Sequence, residues 1–472
     1  MLVVEKGPPQ SQDGPLPLWS TSVLDRESGK TFSPFLGEGV GGSSQVYGMV
    51  LELPEASDFQ DGGGAWPGSL EHWMPEFEKA IALFSGTPSR GHEEFGPLLA
   101  GLERGGLMCK PLVLAHRNPS ECDYCQSRRC RKQCRVDGYN GPLSGAIRTG
   151  NAFVLAGFEA RVLLHRDGKV HEVRGISRAG VEAGLRAESF VLAAGALKSP
   201  LLLMSARNSG PGAGFERLDA VGKYLMRHLV DLYTLQWPEW RNLDPAVRRR
   251  LCHAKAWGCD SLYQCDGERF GTVQSFGSLP DFDLVWRELR EQSRALHALP
   301  FLKPLVRRIA DSMFRYPVAA SIFEDSPHAG NRVAPGPCDG QIEVRYRIQA
   351  EDRVRLERFR RRLKTAFGDH LVRFLPQAHD NSRLAHACGT CRMGRDPKSS
   401  VTDEWGKVHE AENLWVADSS VFPSSTGKNP SLLIAAHSLR LAERLTGTPC
   451  PAAQSDPSQP GSRESVRADH PD

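Results

Sequence analysis

The sequence predicts an α/β protein: a Rossmann-like nucleotide-binding domain interleaved with an α+β substrate-binding domain built on an antiparallel sheet. Three observations predict it. Short apolar runs end in an acid or a small-residue turn, as at Leu2–Gly7, Phe190–Ala196 and Leu414–Asp418, the last two with helical patterns after them. A glycine- and serine-rich loop, Gly37-Glu38-Gly39-Val40-Gly41-Gly42-Ser43-Ser44, follows the first of them. From about 229 to 380 the pattern changes to strand-like runs with one long amphipathic helix. At 472 residues there is room for both domains. The expected division is 1–228 for the first part of the nucleotide-binding domain, with a Cys-rich loop inserted at 109–140. Residues 229–380 form the substrate-binding domain and 381–445 return to the first domain. The Pro/Ser/charge-rich 446–472 is expected to be disordered.

Met1-Leu2-Val3-Val4-Glu5-Lys6-Gly7 reads as a buried strand ending in an acid and a glycine. The second strand of a dinucleotide-binding unit ends this way, its acid accepting hydrogen bonds from ribose hydroxyls. No G-x-G-x-x-G precedes it, so Glu5 taken alone reads better as a surface acid, and it is the rest of the chain that reverses this. Residues 8–34 read as loop. In the glycine loop, Gly39, Gly41 and Gly42 let backbone approach a ligand, and Ser43 and Ser44 add hydroxyls. No Gly-Lys-Ser/Thr follows, so this is not a P-loop. A helix is expected from about Met74 to Phe84, with Pro75 near its first position and Phe77, Ile81 and Phe84 facing the core.

Cys122, Cys125, Cys130 and Cys134 crowd four thiols into a short basic stretch with Arg128, Arg129, Arg131, Lys132 and Arg135. Neighbouring cations lower thiol pKa values, and clustered thiolates bind soft metals. An iron–sulfur cluster or a zinc ion is one reading; four unrelated thiols on a basic loop is the other. The spacing matches neither a zinc finger nor a plant-type ferredoxin.

Ala160–Leu164 with Asp167-Gly168 reads as a hairpin. Phe190–Leu192 runs into Ala193-Ala194-Gly195-Ala196, and Lys198-Ser199-Pro200 opens a helix with Pro near its first turn. That unit can turn backbone N–H groups toward a phosphate; a plain strand–helix connection reads the same way. Strands are expected at 317–323 and 341–348. A helix at Arg353–Phe367 would bury Leu356, Phe359, Leu363 and Phe367 against a sheet.

Composition excludes several classes. Hydrophobic residues make up 40% and charged residues 24%, and net charge is +3, too mild to argue for nucleic acid. No run of apolar residues is long enough to span a membrane, and no basic-plus-apolar leader is visible. With 12 cysteines, part of them clustered, a reducing compartment is favoured, so a cytoplasmic location is expected.

The most specific stretch is 386–445. It opens His386-Ala387-Cys388-Gly389-Thr390-Cys391-Arg392-Met393-Gly394 and continues through Val408-His409 to Asn413–Val416, Asp418-Ser419-Ser420-Val421 and Asn429-Pro430-Ser431-Leu432. A tunable proton acceptor, a strand ending in an acid and a helix start come in quick succession. Together with Gly39–Ser44, Ala193–Ala196, Ser199-Pro200, Val221-Gly222 with His228, and Asn331-Arg332-Val333, these residues resemble the glucose–methanol–choline family of FAD-dependent oxidoreductases. The resemblance covers about 1–7 and 35–445.

It implies an FAD-binding domain and oxidation of the CH–OH group of an alcohol, sugar, polyol or sterol. His386 stands where the family has its active-site base and Asn429 where it has the second catalytic residue. Glu5 would meet the adenosine ribose. Gly39, Gly41, Gly42, Ser43, Ser44, Ala194 and Gly195 would line the cofactor, as would Asp418, Ser419 and Val421. The helix opening at Pro430 and Ser431 would point its positive end at the flavin ring. His409 and His437 are expected to be structural. The cysteine cluster resembles that of family dehydrogenases that pass electrons onward, which implies an electron-carrier protein as partner. Two departures stand out: the lack of G-x-G-x-x-G, and Leu51-Glu52-Leu53-Pro54 where many relatives carry a basic residue. They keep open a second reading, a non-catalytic subunit of the same fold that binds no flavin.

Overall fold

The computed structural model describes residues 1–8, 21–60, 66–122, 124–127, 130–207, 218–277, 299–313 and 315–448, with Phe282, Trp286 and Arg290 between them. The flanking Arg128 and Arg129, and most of the predicted tail, lie outside the described residues.

Two short parallel pairs carry the nucleotide-binding part. Leu2–Glu5 pairs with Phe153–Ala156, and Phe190–Leu192 pairs with Leu414–Val416. Parallel pairing needs a crossover. The one leaving Phe190–Leu192 is helix Gly195–Arg207, and the strand Leu414–Val416 is followed by helix Ser431–Thr446. The expected hairpin is present as Phe158–Arg166 and Lys169–Ser177, with Glu182–Leu185 beyond it.

The second part is a six-stranded antiparallel sheet in the order Leu371–Leu375, Leu229–Leu235, Val318–Phe323, Gly271–Ser275, Trp257–Cys259, Cys109–Pro111. Its edge strand comes from the region read as a Cys-rich insertion, so that region also builds the sheet. Helix Ala350–Phe367 lies against it with Leu356, Phe359, Leu363 and Phe367 buried. Phe359 stacks on Phe270, and Phe367 meets the Tyr233 ring edge-on. Beneath the charged face, Arg360 forms a bidentate pair with the buried Asp231.

Three expectations need correction. Residues 8–34 are not all loop: Val23–Asp25 and Thr31–Phe32 join Ile342–Arg345 and Arg332–Pro335 in a four-stranded sheet. The first long helix starts at Leu70, so Pro75 sits in its interior. Burial of Trp73 and Phe77, with Arg440 stacked 4.0 Å from the Trp73 ring, outweighs the hydrogen bond lost at the proline. The helix at 195 likewise opens five residues before Pro200. There the lost bond is made good: a proline at 200 frees the carbonyl of Ala196, and the Thr390 hydroxyl donates to it at 2.6 Å. That bond fastens the helix to the segment following His386.

Candidate active site

His386 is set by a bulge. Met226 N–H donates to Cys388 O at 3.0 Å, Cys388 N–H returns the bond to Met226 O at 2.9 Å, and His228 N–H donates to Ala385 O at 2.9 Å. Two residues, His386 and Ala387, therefore oppose the single Arg227. His386 takes the extra turn with φ of 58°, a left-handed conformation unusual outside glycine. The facing strand is held rigidly: the buried Arg227 guanidinium donates to Ala378 O at 2.7 Å and Arg383 O at 3.0 Å and covers the Tyr346 ring.

The bulge brings two imidazoles together. His386 Nδ1 lies 2.7 Å from His228 Nδ1, with the rings near perpendicular. His228 Nε2 lies 3.0 Å from both Ser425 O and Thr426 O. Burial pulls the His228 pKa down to about 4. Burial, then His228 and Lys255, hold His386 well below the usual histidine value. Thr426 is another non-glycine residue in the left-handed region, and the buried segment Ser424–Asn429 leads from the histidine pair to Asn429.

Asn429 is tied down. Its backbone N–H donates to Glu52 Oε2 at 3.2 Å; its side-chain Nδ2 donates to the same oxygen and to Gln274 Oε1. Both amide hydrogens are thus used inside the protein, while Oδ1 accepts none from the described residues. Lys255, fully buried, donates to Gln126 Oε1 at 3.0 Å and Phe276 O at 3.2 Å, and burial brings its pKa down to about 8 against the opposing pull of Glu52.

The cofactor-side residues fall into two groups. Glu5 Oε1 accepts from Gly7 N–H at 2.7 Å and Gly39 N–H at 3.1 Å, so the strand-end acid anchors the glycine loop and its Oε2 carries no bond from the described residues. Gly39, Gly41 and Gly42 all have positive φ, and a Cβ at Gly37 would stand 2.4 Å from Gly42 O. Such a loop is a concavity of backbone of the kind that holds phosphates. Ser43 Oγ closes it by accepting from Gly37 N–H, and Ser44 Oγ by accepting from Gly138 N–H.

The second group is internal. Asp418 Oδ2 accepts from Gly195 N–H at 2.8 Å and Ser199 Oγ at 2.5 Å, and Oδ1 accepts from Ser420 N–H at 2.8 Å. Ala194 N–H goes to Ser199 Oγ. The N–H groups of Ala194 and Gly195, expected to be free for a ligand, are spent on this junction, which buttons the helix start to the strand end. Ser419 donates to Ala387 O, aligning the His386 segment with the Asp418 turn. Val421 is fully buried in the core. Pro430 caps the helix and Ser431 is its first residue. His437 bonds Val416 O and His409 bonds Ser400, away from the histidine pair.

The four cysteines are neighbours in space. Cys130 Sγ lies 3.3 Å from Cys134 Sγ. Cys134 is also next to Cys122, and Cys130 next to Cys125. Among the described residues no group of three or more His, Cys, Asp and Glu is arranged to hold a metal. The loop is pinned by Arg135 to Cys125 O and by Ser127 N–H to Val46 O, which draws it out along the glycine loop.

His228, Glu52, Gln274 and Lys255 were not assigned site roles from sequence. His228 carried a signal, its place after Val221-Gly222, and Glu52 lay in the stretch noted as a departure from relatives; Gln274 and Lys255 carried none.

Parallel strand–turn–helix units, a glycine loop anchored by a strand-end acid, and a histidine pair at the border of an antiparallel sheet define a two-domain oxidoreductase using a nucleotide cofactor. The chain belongs to the GMC oxidoreductase family: its N-terminal profile matches residues 21–230 and its C-terminal profile residues 310–438. Among its relatives are paromamine 6'-oxidase of Streptomyces fradiae, 26% identical over 88% of this chain and 79% of that protein, and 2-methyl-1,2-propanediol dehydrogenase of Mycolicibacterium austroafricanum, 23% identical over 88% and 82%. The fold also matches the crystal structure of pyridoxine 4-oxidase from Mesorbium loti, with a TM-score of 0.65 and 20% identity over 95% of this chain and 94% of that one. The family is one of flavoproteins, and the residues present fit FAD. Glu5 Oε2, which carries no bond from the described residues, suits a ribose hydroxyl, and a Cβ at Gly42 would have nothing within 4 Å. No helix among the described residues is long and apolar enough to cross a membrane.

Proposed function

We propose that this chain oxidises the CH–OH group of a small alcohol, sugar or polyol with FAD, and that His386 takes the hydroxyl proton. The observation that carries the reading is the His386 imidazole, kept neutral by burial and held by His228 on a bulge beside the Ser424–Asn429 segment. FAD, when bound, takes up the hydride that leaves the carbon. His386 takes the proton: the substrate O–H bond breaks and a new N–H bond forms as the carbonyl develops. Its low pKa keeps it unprotonated at neutral pH, which a general base requires.

Asn429 contributes position. Glu52 and Gln274 fix its amide group, leaving Oδ1 to accept a hydrogen bond from a second hydroxyl of a sugar or polyol, not from the one that His386 deprotonates. Lys255 supplies a buried positive charge near His386, which favours negative charge developing on the substrate oxygen. The relatives named for paromamine and 2-methyl-1,2-propanediol support a hydroxyl-bearing small molecule.

The test is anaerobic mixing of the FAD-loaded chain with paromamine, 2-methyl-1,2-propanediol and pyridoxine. Loss of the oxidised-flavin absorption with one of them is expected. A purified chain that takes up no FAD would favour the flavin-free subunit instead, and a loaded chain that no alcohol reduces would overturn the proposal.

A further inference from the structure

We infer that His228 is the positioning residue that holds His386 in one tautomer, with hydrogen on Nδ1, so that Nε2 is the atom that takes the substrate proton. The inference rests on the reading of His386 as the base.

The argument is a count of hydrogens. A carbonyl oxygen only accepts. Two of them, Ser425 O and Thr426 O, stand 3.0 Å from His228 Nε2, so that nitrogen carries the hydrogen and shares it between them. His228 is 1% exposed, and a second proton there would bury a cation with no carboxylate bonded to it. His228 Nδ1 is therefore a lone pair. It lies 2.7 Å from His386 Nδ1, and two lone pairs do not approach so closely. The hydrogen between them belongs to His386 Nδ1. A neutral imidazole has one N–H, so His386 Nε2 holds the lone pair. No described residue bonds it.

The backbone is built to the same end. The bulge turns His386 into a strained left-handed conformation, and the paired backbone from Met226 to His228 holds it there. A ring flipped end for end would set an N–H free on the substrate side and leave a carbon against His228. The chain of hydrogens also ends at two carbonyls, which take no proton. A proton captured by His386 cannot leave through His228; it must depart from Nε2, on the side by which substrate enters. The other titratable group bearing on the pair is Lys255, which acts on His386; the nearby Asp325 holds Ser425 through its backbone, its N–H and carbonyl both bonded to Ser425 Oγ.

The experiment is nitrogen NMR of the FAD-loaded protein labelled with [15N]histidine, with resonances assigned by loss in His228→Leu and His386→Ala. At neutral pH the hydrogen is expected on Nδ1 of His386 and on Nε2 of His228. In His228→Leu the His386 signals should move toward a mixture of tautomers. Its flavin-reduction rate constant should fall about 10–100-fold, taking as a scale the loss of a partner that orients a metal-bound histidine, with flavin still bound and substrate Kd unchanged. His228→Asn, whose Oδ1 can accept from His386 Nδ1, should recover much of the loss. A hydrogen found on His386 Nε2 in the wild type would overturn the inference without any variant. So would a folded, loaded His228→Leu protein with wild-type rate and pH profile. If His386→Ala reduces flavin normally, the proposed function is wrong while the tautomer assignment is decided separately by the spectrum.

Discussion

Replacing Asp418 by alanine should loosen the junction on which the cofactor side of the molecule is assembled. The Asp418 side chain is almost fully buried and accepts three hydrogen bonds, from Gly195 N–H, Ser199 Oγ and Ser420 N–H. Ser199 already accepts from Ala194 N–H and can turn its hydroxyl elsewhere. The two backbone N–H groups cannot. Each buried donor left without a partner costs about 1–3 kcal/mol, so the variant should lose about 2–6 kcal/mol. At about 2–4 °C per kcal/mol, the scale for domains of 150–250 residues, the melting temperature should drop by roughly 4–24 °C. Asp418→Asn should lose about half as much: it keeps an oxygen for Ser420 but sets an NH₂ against Gly195 N–H. Ser199→Ala should lose least. Thermal unfolding followed by circular dichroism, with and without added FAD, measures all three. If Asp418→Ala melts within about 1 °C of the parent, the junction has no structural weight and the bonding argument is refuted.

Two further outcomes follow from the same bookkeeping of charges and partners. Asp231→Ala would take the bidentate partner from the buried Arg360, leaving it Glu357, and would also free the N–H groups of Gln377 and Ala378; breaking a buried pair from one side costs about 3–5 kcal/mol, so urea unfolding should register a lower midpoint, and an unchanged midpoint would contradict the pairing. Thiol alkylation at about pH 6, read by peptide mass spectrometry, should mark Cys130 and Cys122 before Cys252, Cys388 and Cys391. Bonds from Cys125 and Cys134 hold Cys130 down and the bond from Cys134 lowers Cys122, whereas burial raises the other three. Equal labelling of all five would contradict that order.

Local patterns were legible in the sequence wherever local physics decides. The 353–367 stripe was readable because its apolar spacing is helical and its burial follows. So were strand Leu414–Val416 with its terminal acid and the helix starting beside Pro430. Pro75 and Pro200 misled because propensity was outvoted by contacts from elsewhere: Trp73 in the core for one, the Thr390 hydroxyl for the other. The site divided in the same way. His386 and Asn429 stood out in their motif, but what holds them is distant: His228 is 158 residues away in sequence and Glu52 is 377 from Asn429. No periodicity reports such a contact. The four cysteines, close in sequence, are also neighbours in space, with Cys130 Sγ 3.3 Å from Cys134 Sγ. Asp418 was read correctly as a strand-end acid, yet its carboxylate is satisfied by the protein, a distinction that only hydrogen-bond partners reveal.

The central claim is that a neutral His386 removes the substrate proton. Its most direct test is the pH dependence of anaerobic flavin reduction by substrate in the wild type and in His386→Ala, each loaded with FAD. A base with a lowered pKa stays unprotonated as pH falls. The rate constant should therefore hold steady down through the usual histidine value of 6.5 and decline only well below it. Above about 8, loss of the Lys255 charge should lower the rate again. His386→Ala should keep its flavin, reduce it far more slowly and lose the acid limb. An acid limb centred at or above 6.5, or an alanine variant with the wild-type rate and profile, would contradict the account.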